Sequence, residues 1–212
     1  MNLESLRREY LQGGLRRADL EEDPFDQFDK WMQQAIALQI GDPTAMTAAT
    51  VSADGQPSQR IVLLKNSDKN GFVFYTNYDS RKADELTHNS HISLHFPWHA
   101  IDRQVKVCGV AEKVSHEEAQ QYFLTRPRES QLAAAVSNQS QVLDSRTLLL
   151  EQFTAMNEKF AEKKIPMPDF WGGYRVQPHE FEFWQGGANR LHDRFRYRLL
   201  DNKQWQIDRL AP

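Results

Sequence analysis

The sequence predicts a mainly β fold with peripheral helices, an α+β arrangement whose strands close into a barrel rather than spread as an open parallel sheet. Three observations predict it. Short, mostly apolar strand-like runs recur between residues 45 and 114 and again between 171 and 210. Short turns built on Gly or Asp join many of these runs as a meander. No internal repeat, low-complexity tract or linker interrupts the 212 residues, so the chain reads as one domain over 1–212, with residues 1–20 a mobile N-terminal arm.

Residues 3–10 suit a short helix carrying Arg7, Arg8 and Tyr10, broken at Gly13-Gly14. Asp23-Pro24 is an N-cap followed by proline at the first helical position. Phe25, Phe28, Trp31, Met32, Ala35 and Ile36 then fall on one helical face, which ends near Gly41-Asp42-Pro43. Strands are expected at 45–51, 58–65 and 72–77, with a turn at 68–71. A helix follows over 79–88, then strands at 92–96 and 101–114. Ser115 and Glu118 form a capping box that opens a helix through Tyr122 and Leu124, interrupted by Pro127. Residues 129–136 read as helix, 137–141 as a polar loop, and 144–162 as a long amphipathic helix with Leu148, Leu149, Phe153, Met156 and Phe160 on its apolar side. Strands at 171–176, 180–185, 191–199 and 205–210 complete the sheet.

Composition limits the function. Hydrophobic content of 40% suits a soluble globular protein, and a net charge of −3 offers no general basis for binding nucleic acid. An anion site must therefore come from local clustering of the 26 Lys and Arg residues. The single Cys108 excludes an internal disulfide and fits a reducing compartment. No run of 18 apolar residues predicts a membrane span, and MNLESLRREY lacks an apolar signal region, so a cytoplasmic protein is expected.

The stretch 181–197, FEFWQGGANRLHDRFRY, holds the densest cluster of candidate chemistry. Gly186-Gly187 permits positive φ and so a tight turn. If the chain after it is a strand, Arg190, His192 and Arg194 share one face and Trp184 meets them from the partner strand. Such an array suits a planar anionic ligand. Ser80-Arg81-Lys82 opens a predicted helix, where free N–H groups and the dipole favour a phosphate. Tyr122, Arg126 and Ser130 are spaced to share one side as a second clamp. Arg60 and Lys65 bracket the run IVLL, and a regular strand puts them on opposite faces. Gln104 is a candidate for a heterocycle edge, and Gln139 and Ser140 are loop donors. His91 and His95 lack a metal-ligand pattern, so no metal is expected, and neither phosphate-loop nor dinucleotide fingerprint occurs. Two phosphate clamps without an acid–base dyad suggest that a cofactor carries the reaction.

These motifs add up to a resemblance. RREY (7–10), QRIVLLK (59–65), FYTN (74–77), SRKA (80–83), RQV (103–105), FWGG (170–173), EFWQGG (182–187), RLHDRF (190–195) and IDRLAP (207–212) are similar to segments of the pyridoxine/pyridoxamine 5′-phosphate oxidase family, and they span nearly the whole chain. The resemblance implies an FMN-binding split β-barrel and a homodimer with FMN at the subunit interface. It implies that Arg60, Ile61, Val62, Leu63, Leu64, Lys65, Tyr75, Thr76, Arg81, Lys82, Gln104, Gln139, Ser140, Trp184 and Arg194 contact FMN. Lys65, Tyr122, Arg126 and Ser130 are then expected to grip the substrate phosphate, and Arg190, Leu191 and His192 to hold the pyridine ring, with Arg190 and His192 as the catalytic pair. Arg7, Arg8, Glu9 and Tyr10 are expected to close over the site. The implied reaction is hydride transfer from the substrate 4′ carbon to flavin N5, with oxygen as acceptor and hydrogen peroxide as by-product. The alternative is a flavin-binding split barrel that acts as carrier or sensor. It has no need of Tyr122, Arg126, Ser130, Arg190 and His192 together.

Overall fold

The computed structural model describes Tyr10, residues 14–161 and residues 163–212. Readings made on Arg7, Arg8, Glu9 and a helix over 3–10 lie outside the described residues, Tyr10 apart. Among the described residues nine strands form one antiparallel sheet: β1 (Ala45–Val51), β2 (Pro57–Leu63), β3 (Asn66–Asp68), β4 (Gly71–Asn77), β5 (His91–Trp98), β6 (Arg103–Lys113), β7 (Trp171–Gln185), β8 (Asp193–Leu199) and β9 (Trp205–Leu210). The hydrogen-bonded order is β2-β1-β5-β6-β7-β4-β3, with β8 beside β7 and β9 beside β8. The ends of that order, β2 and β3, are separated in the chain by Leu64 and Lys65 alone. The sheet must therefore curl until its edges meet, which makes a split barrel. The seam is visible in the backbone: Leu64 N donates to Thr44 O (2.9 Å) and Lys65 N donates to Val73 O (2.8 Å).

Strand alternation fills the barrel with aromatic side chains. Phe72, Phe96, Phe181, Phe183 and Phe195 are all buried. Helix α1 (Pro24–Ala37), capped by Asp23 accepting from Phe25 N at 2.8 Å, packs its apolar stripe on this interior. Phe28 meets Phe72 at 4.8 Å and Phe96 at 5.0 Å, and Trp31 meets Phe183 edge-on at 5.3 Å. Burying one such side chain contributes about 1.5–3 kcal/mol, so α1 is tied to the sheet chiefly by its aromatic residues. Leu15 and Leu20 are also buried, and Leu15 N donates to Asp193 Oδ2 (2.9 Å), so the described segment before α1 is packed rather than a free arm. Helices α2 (Arg81–His88), α3 (His116–Thr125), α4 (Arg128–Val136) and α5 (Arg146–Lys159) lie outside the barrel. No helix among the described residues is long and apolar enough to cross a membrane.

Four expectations need correction. The strands expected at 171–176 and 180–185 are one strand, β7. Its first part pairs with β4 as far as Val176 and its second with β8 from Glu180, so Pro178 falls between these partners, at a bulge opposite Cys108 and Gly109. Proline is tolerated there because a ladder position is vacant on one side. Helix α5 is shorter than 144–162 and buries no side chain: Phe153, Met156 and Phe160 are half-covered, whereas Leu148 and Leu150 are exposed. The turn expected at 68–71 is narrower, because β3 and β4 pair through Asp68 and Gly71. Strand β2 stops at Leu63, which leaves Lys65 in the seam instead of on a strand face.

Candidate functional site

A cleft of about 1110 Å³ opens between the β2 end of the barrel, the end of β4, the start of α2 and the α3–α4 corner. Arg60, Ile61, Val62, Leu63 and Lys65 line it from β2 and the seam, and Tyr75 and Thr76 from β4. Arg81 and Lys82 enter from α2, Tyr122, Arg126 and Ser130 from the helical corner, and Gln139 and Ser140 from the loop after α4. Arg60 and Lys65 thus share the cleft although five residues apart, because the chain leaves the strand between them. Leu64 faces the core instead. Among the described residues, five cations line the cleft (Arg60, Lys65, Arg81, Lys82 and Arg126) and no carboxylate does.

Burial makes this charge costly. Lys82 is 7% exposed, and its ammonium donates to Thr76 Oγ1 (2.8 Å), Ser80 Oγ (3.1 Å) and Gln139 Oε1 (2.7 Å), all neutral acceptors. Burial, then the neighbouring Arg60 charge, pushes Lys82 down to about 8 against support from Glu85. Arg126 Nη1 is buried with no hydrogen-bond partner among the described residues, and burial lowers its pKa. A buried cation with neutral partners and an orphaned guanidinium nitrogen both call for an anion.

Sequence reasoning missed Glu85. Its side chain is 2% exposed, sits behind the cleft wall and accepts from Ser58 (2.8 and 2.6 Å), Thr50, Arg60 Nη2 (3.3 Å) and Arg81 Nε (2.8 Å). Burial raises its pKa, but these hydrogen bonds and the Arg60 charge outweigh that and hold it at about 2. It aligns two arginines without entering the cleft. The i,i+4 spacing of Arg81 and Glu85 was the signal available for it.

A second cluster surrounds the β7–β8 turn and lines no part of that cleft. Trp184 lies 4.7 Å from His192, and Tyr10 packs edge-on against both, at 5.6 and 5.2 Å. The Arg190 guanidinium is 5.7 Å from the Tyr10 ring. Gln104 faces Trp184 across β6–β7, and its Oε1 accepts from His95 Nε2 (2.8 Å). Arg194 donates to Glu182 (2.8 Å) and to Ala211 O (2.8 Å). Leu191 is exposed. Contrary to the expectation from the sequence, Arg190, His192 and Arg194 are not in a row on one strand. Arg190 ends a 3-10 turn and β8 begins only at Asp193. Neither glycine of the turn has positive φ; Asn189 (56°) and Arg190 (64°) do. The glycines are needed for clearance, since a Cβ on Gly186 would lie 2.6 Å from the Tyr10 ring and one on Gly187 2.2 Å from Leu191 O. Two consecutive left-handed non-glycine residues are strained, a feature that concentrates at functional sites. Gly187 N donates to His192 Nδ1 (3.1 Å), so the neutral imidazole carries its proton on Nε2. Burial, then Arg190 and Arg194, lower the His192 pKa and favour that neutral form.

Fold and cleft together define a class: a split barrel with a cationic, aromatic-walled cleft. A family profile described as "Pyridoxamine 5'-phosphate oxidase" matches residues 32–160, and one described as "Pyridoxine 5'-phosphate oxidase C-terminal dimerisation region" matches residues 171–212. A Teredinibacter turnerae protein called "Pyridoxine/pyridoxamine 5'-phosphate oxidase" is 64% identical over 212 residues, 100% of both chains. A Vibrio vulnificus protein of the same name is 59% identical over the same span. PhzG from Burkholderia lata, solved with tetrahydrophenazine-1-carboxylic acid, is similar at a TM-score of 0.87 and 29% identity, covering 92% of this chain and 95% of that one. An FMN binding protein from Nostoc punctiforme shares the fold at a TM-score of 0.74 and 13% identity, over 91% of this chain and 100% of its own. The chain belongs to the pyridoxamine 5′-phosphate oxidase family and is an oxidoreductase of that kind.

Proposed function

We propose that this protein oxidises pyridoxamine 5′-phosphate or pyridoxine 5′-phosphate to pyridoxal 5′-phosphate, as a cytoplasmic homodimer that holds FMN. The observation that carries the reading is a cleft that the described residues line with five cations and no carboxylate, in a chain of net charge −3. The cleft has room for a mononucleotide and a second phosphate ester, and its cations fall into two groups. Arg60, Arg81 and Lys82, braced by Glu85, suit the FMN phosphate. Lys65 and Arg126, with the hydroxyls of Tyr122 and Ser130, suit the substrate phosphate. Bound there, FMN supplies the two-electron redox chemistry, with oxygen as final acceptor and hydrogen peroxide as by-product.

The remaining residues position the substrate. Gln104, Trp184, Arg190, His192 and Arg194 do not line the cleft of their own chain. All but Gln104 lie in the segment matched by the dimerisation-region description, which supports a partner subunit supplying them. Arg190 stays protonated, so it cannot serve as a base and instead orients the ring. Neutral His192 offers an Nε2–H donor to the ring. Tyr10, set against Trp184 and His192, covers this end as part of the N-terminal arm.

The test is anaerobic addition of pyridoxamine 5′-phosphate to the yellow holoprotein, with mass spectrometry of the released cofactor. Bleaching with formation of one equivalent of aldehyde, then return of the yellow colour with release of hydrogen peroxide on admitting oxygen, is expected. FAD in place of FMN, or a flavin that stays oxidised as in a carrier, overturns the proposal.

A further inference from the structure

Trp171 lines the cleft, yet the reading above gives it no role. It opens β7 with its backbone N–H bonded to Pro168 O (2.9 Å) and its ring 5.1 Å from Phe123, and it is 6% exposed. The Arg126 guanidinium lies 4.8 Å from the Trp171 ring centroid and 5.8 Å from that of Phe123. No ion pair holds Arg126, and its Nη1 has no hydrogen-bond partner among the described residues. Ring faces, rather than a carboxylate, therefore fix its direction.

The same ring belongs to a ladder. Tyr122 stacks on Tyr75 at 3.9 Å and 13°, and Tyr75 lies 5.4 Å from Trp171 at 4°. Gly173 makes the ladder possible, because a Cβ there would fall 2.8 Å from the Tyr75 ring. The FWGG segment thus builds one wall of the cleft from Trp171 and the clearance beside it.

We propose that Trp171 is a positioning residue that aims Arg126 at the substrate phosphate, resting on the reading that Arg126 binds that phosphate. A carboxylate in its place would compete with the anion. An indole face attracts the guanidinium and leaves its charge uncompensated.

The experiment is steady-state kinetics with pyridoxine 5′-phosphate on FMN-saturated holoenzyme carrying Trp171→Leu, Trp171→Phe, Arg126→Met, and Trp171→Leu with Arg126→Met. Trp171→Leu is expected to raise KM about 2- to 30-fold, the range of a cation–π contact, with kcat and flavin content unchanged. Trp171→Phe, a weaker but similarly flat platform that guards against misfolding, should fall between. In the Arg126→Met background the Trp171→Leu change should have no further effect on KM. Multiplying effects, or a KM untouched by Trp171→Leu, overturn the proposal while leaving the phosphate reading intact. If Arg126→Met alone leaves KM unchanged, the phosphate reading itself falls and takes the proposal with it.

Discussion

Lys82 makes the cleft's affinity for FMN depend on pH in a direction that can be worked out. Its ammonium is buried among Thr76, Ser80 and Gln139, and its pKa drops from 10.5 to about 8. A shift of that size corresponds to roughly 3 kcal/mol by which the folded, ligand-free chain disfavours the charged form. The penalty is fully present below pH 8. Between pH 8 and 10.5 the unfolded chain binds a proton that the folded one has released, so ligand-free stability should rise with pH there. A phosphate dianion beside Lys82 reverses the bias, so FMN binding takes up a proton above pH 8. The dissociation constant should be nearly flat below pH 8 and then rise by up to about tenfold per pH unit. Tyr75, held at about 12 by burial, then by Glu118 and Tyr122, stays out of this window. The assay is quenching of FMN fluorescence between pH 6.5 and 9.5, with calorimetry in two buffers at pH 8.5 to count protons. Lys82→Met should weaken binding at pH 7 by about 10- to 150-fold, the value of a hydrogen bond to a charged group, and abolish the alkaline rise. A flat profile in the parent protein, or the same rise in Lys82→Met, would refute the assignment.

Glu85→Gln should lower stability by about 1–3 kcal/mol in urea titration at pH 7, because Arg60 and Arg81 lose their buried counter-charge. Glu85 is held at about 2 against 4.5 unfolded, so its contribution is complete above pH 4.5 and lost as pH falls towards 2, and the variant should lack that acid-dependent loss. Arg190→Ala should reduce kcat/KM by about 10- to 150-fold with FMN retained, and His192→Ala by less, read by kinetics and flavin absorbance in parallel. If partner subunits complete each site, an equal mixture of Lys82→Met and Arg190→Ala chains after subunit exchange should recover roughly a quarter of wild-type activity, since half the dimers then hold one intact site. Activity that stays at the level of the parents would mean cleft and turn work within one chain.

Much of the fold was legible because its signals are local. Asp23-Pro24 and the aromatic stripe of α1 specify a helix and the face it buries, and Ser115 caps α3 by accepting from Glu118 N at 3.1 Å, as the S-x-x-E spacing says. The errors lie where the deciding partner is remote. Pro178 reads as a strand break until one sees that β7 changes neighbours beside it. The apolar spacing of α5 tells which side would be covered, but not that Leu148 and Leu150 are exposed among the described residues of the single chain.

The site divides in the same way. The cations were legible as residue types at strand ends and a helix start, where an uncompensated charge signals an anion. What disciplines those cations was not. Glu85 joins Thr50 and Ser58, 35 and 27 residues away, to the arginines it aligns. Trp171 joins Arg126 across a loop, two helices and the strand entry. Gly186-Gly187 were legible as a turn, but for a reason the structure replaces. Their bare backbones leave room for Tyr10 and for the Leu191 carbonyl, while Asn189 and Arg190 carry the left-handed geometry. A charged residue can be read from its own identity, whereas the group that orients it depends on which distant segments the barrel closes together. The positioning residues of this site therefore had to come from the fold, and they are also where substitutions test the arrangement without removing the ligand contacts themselves.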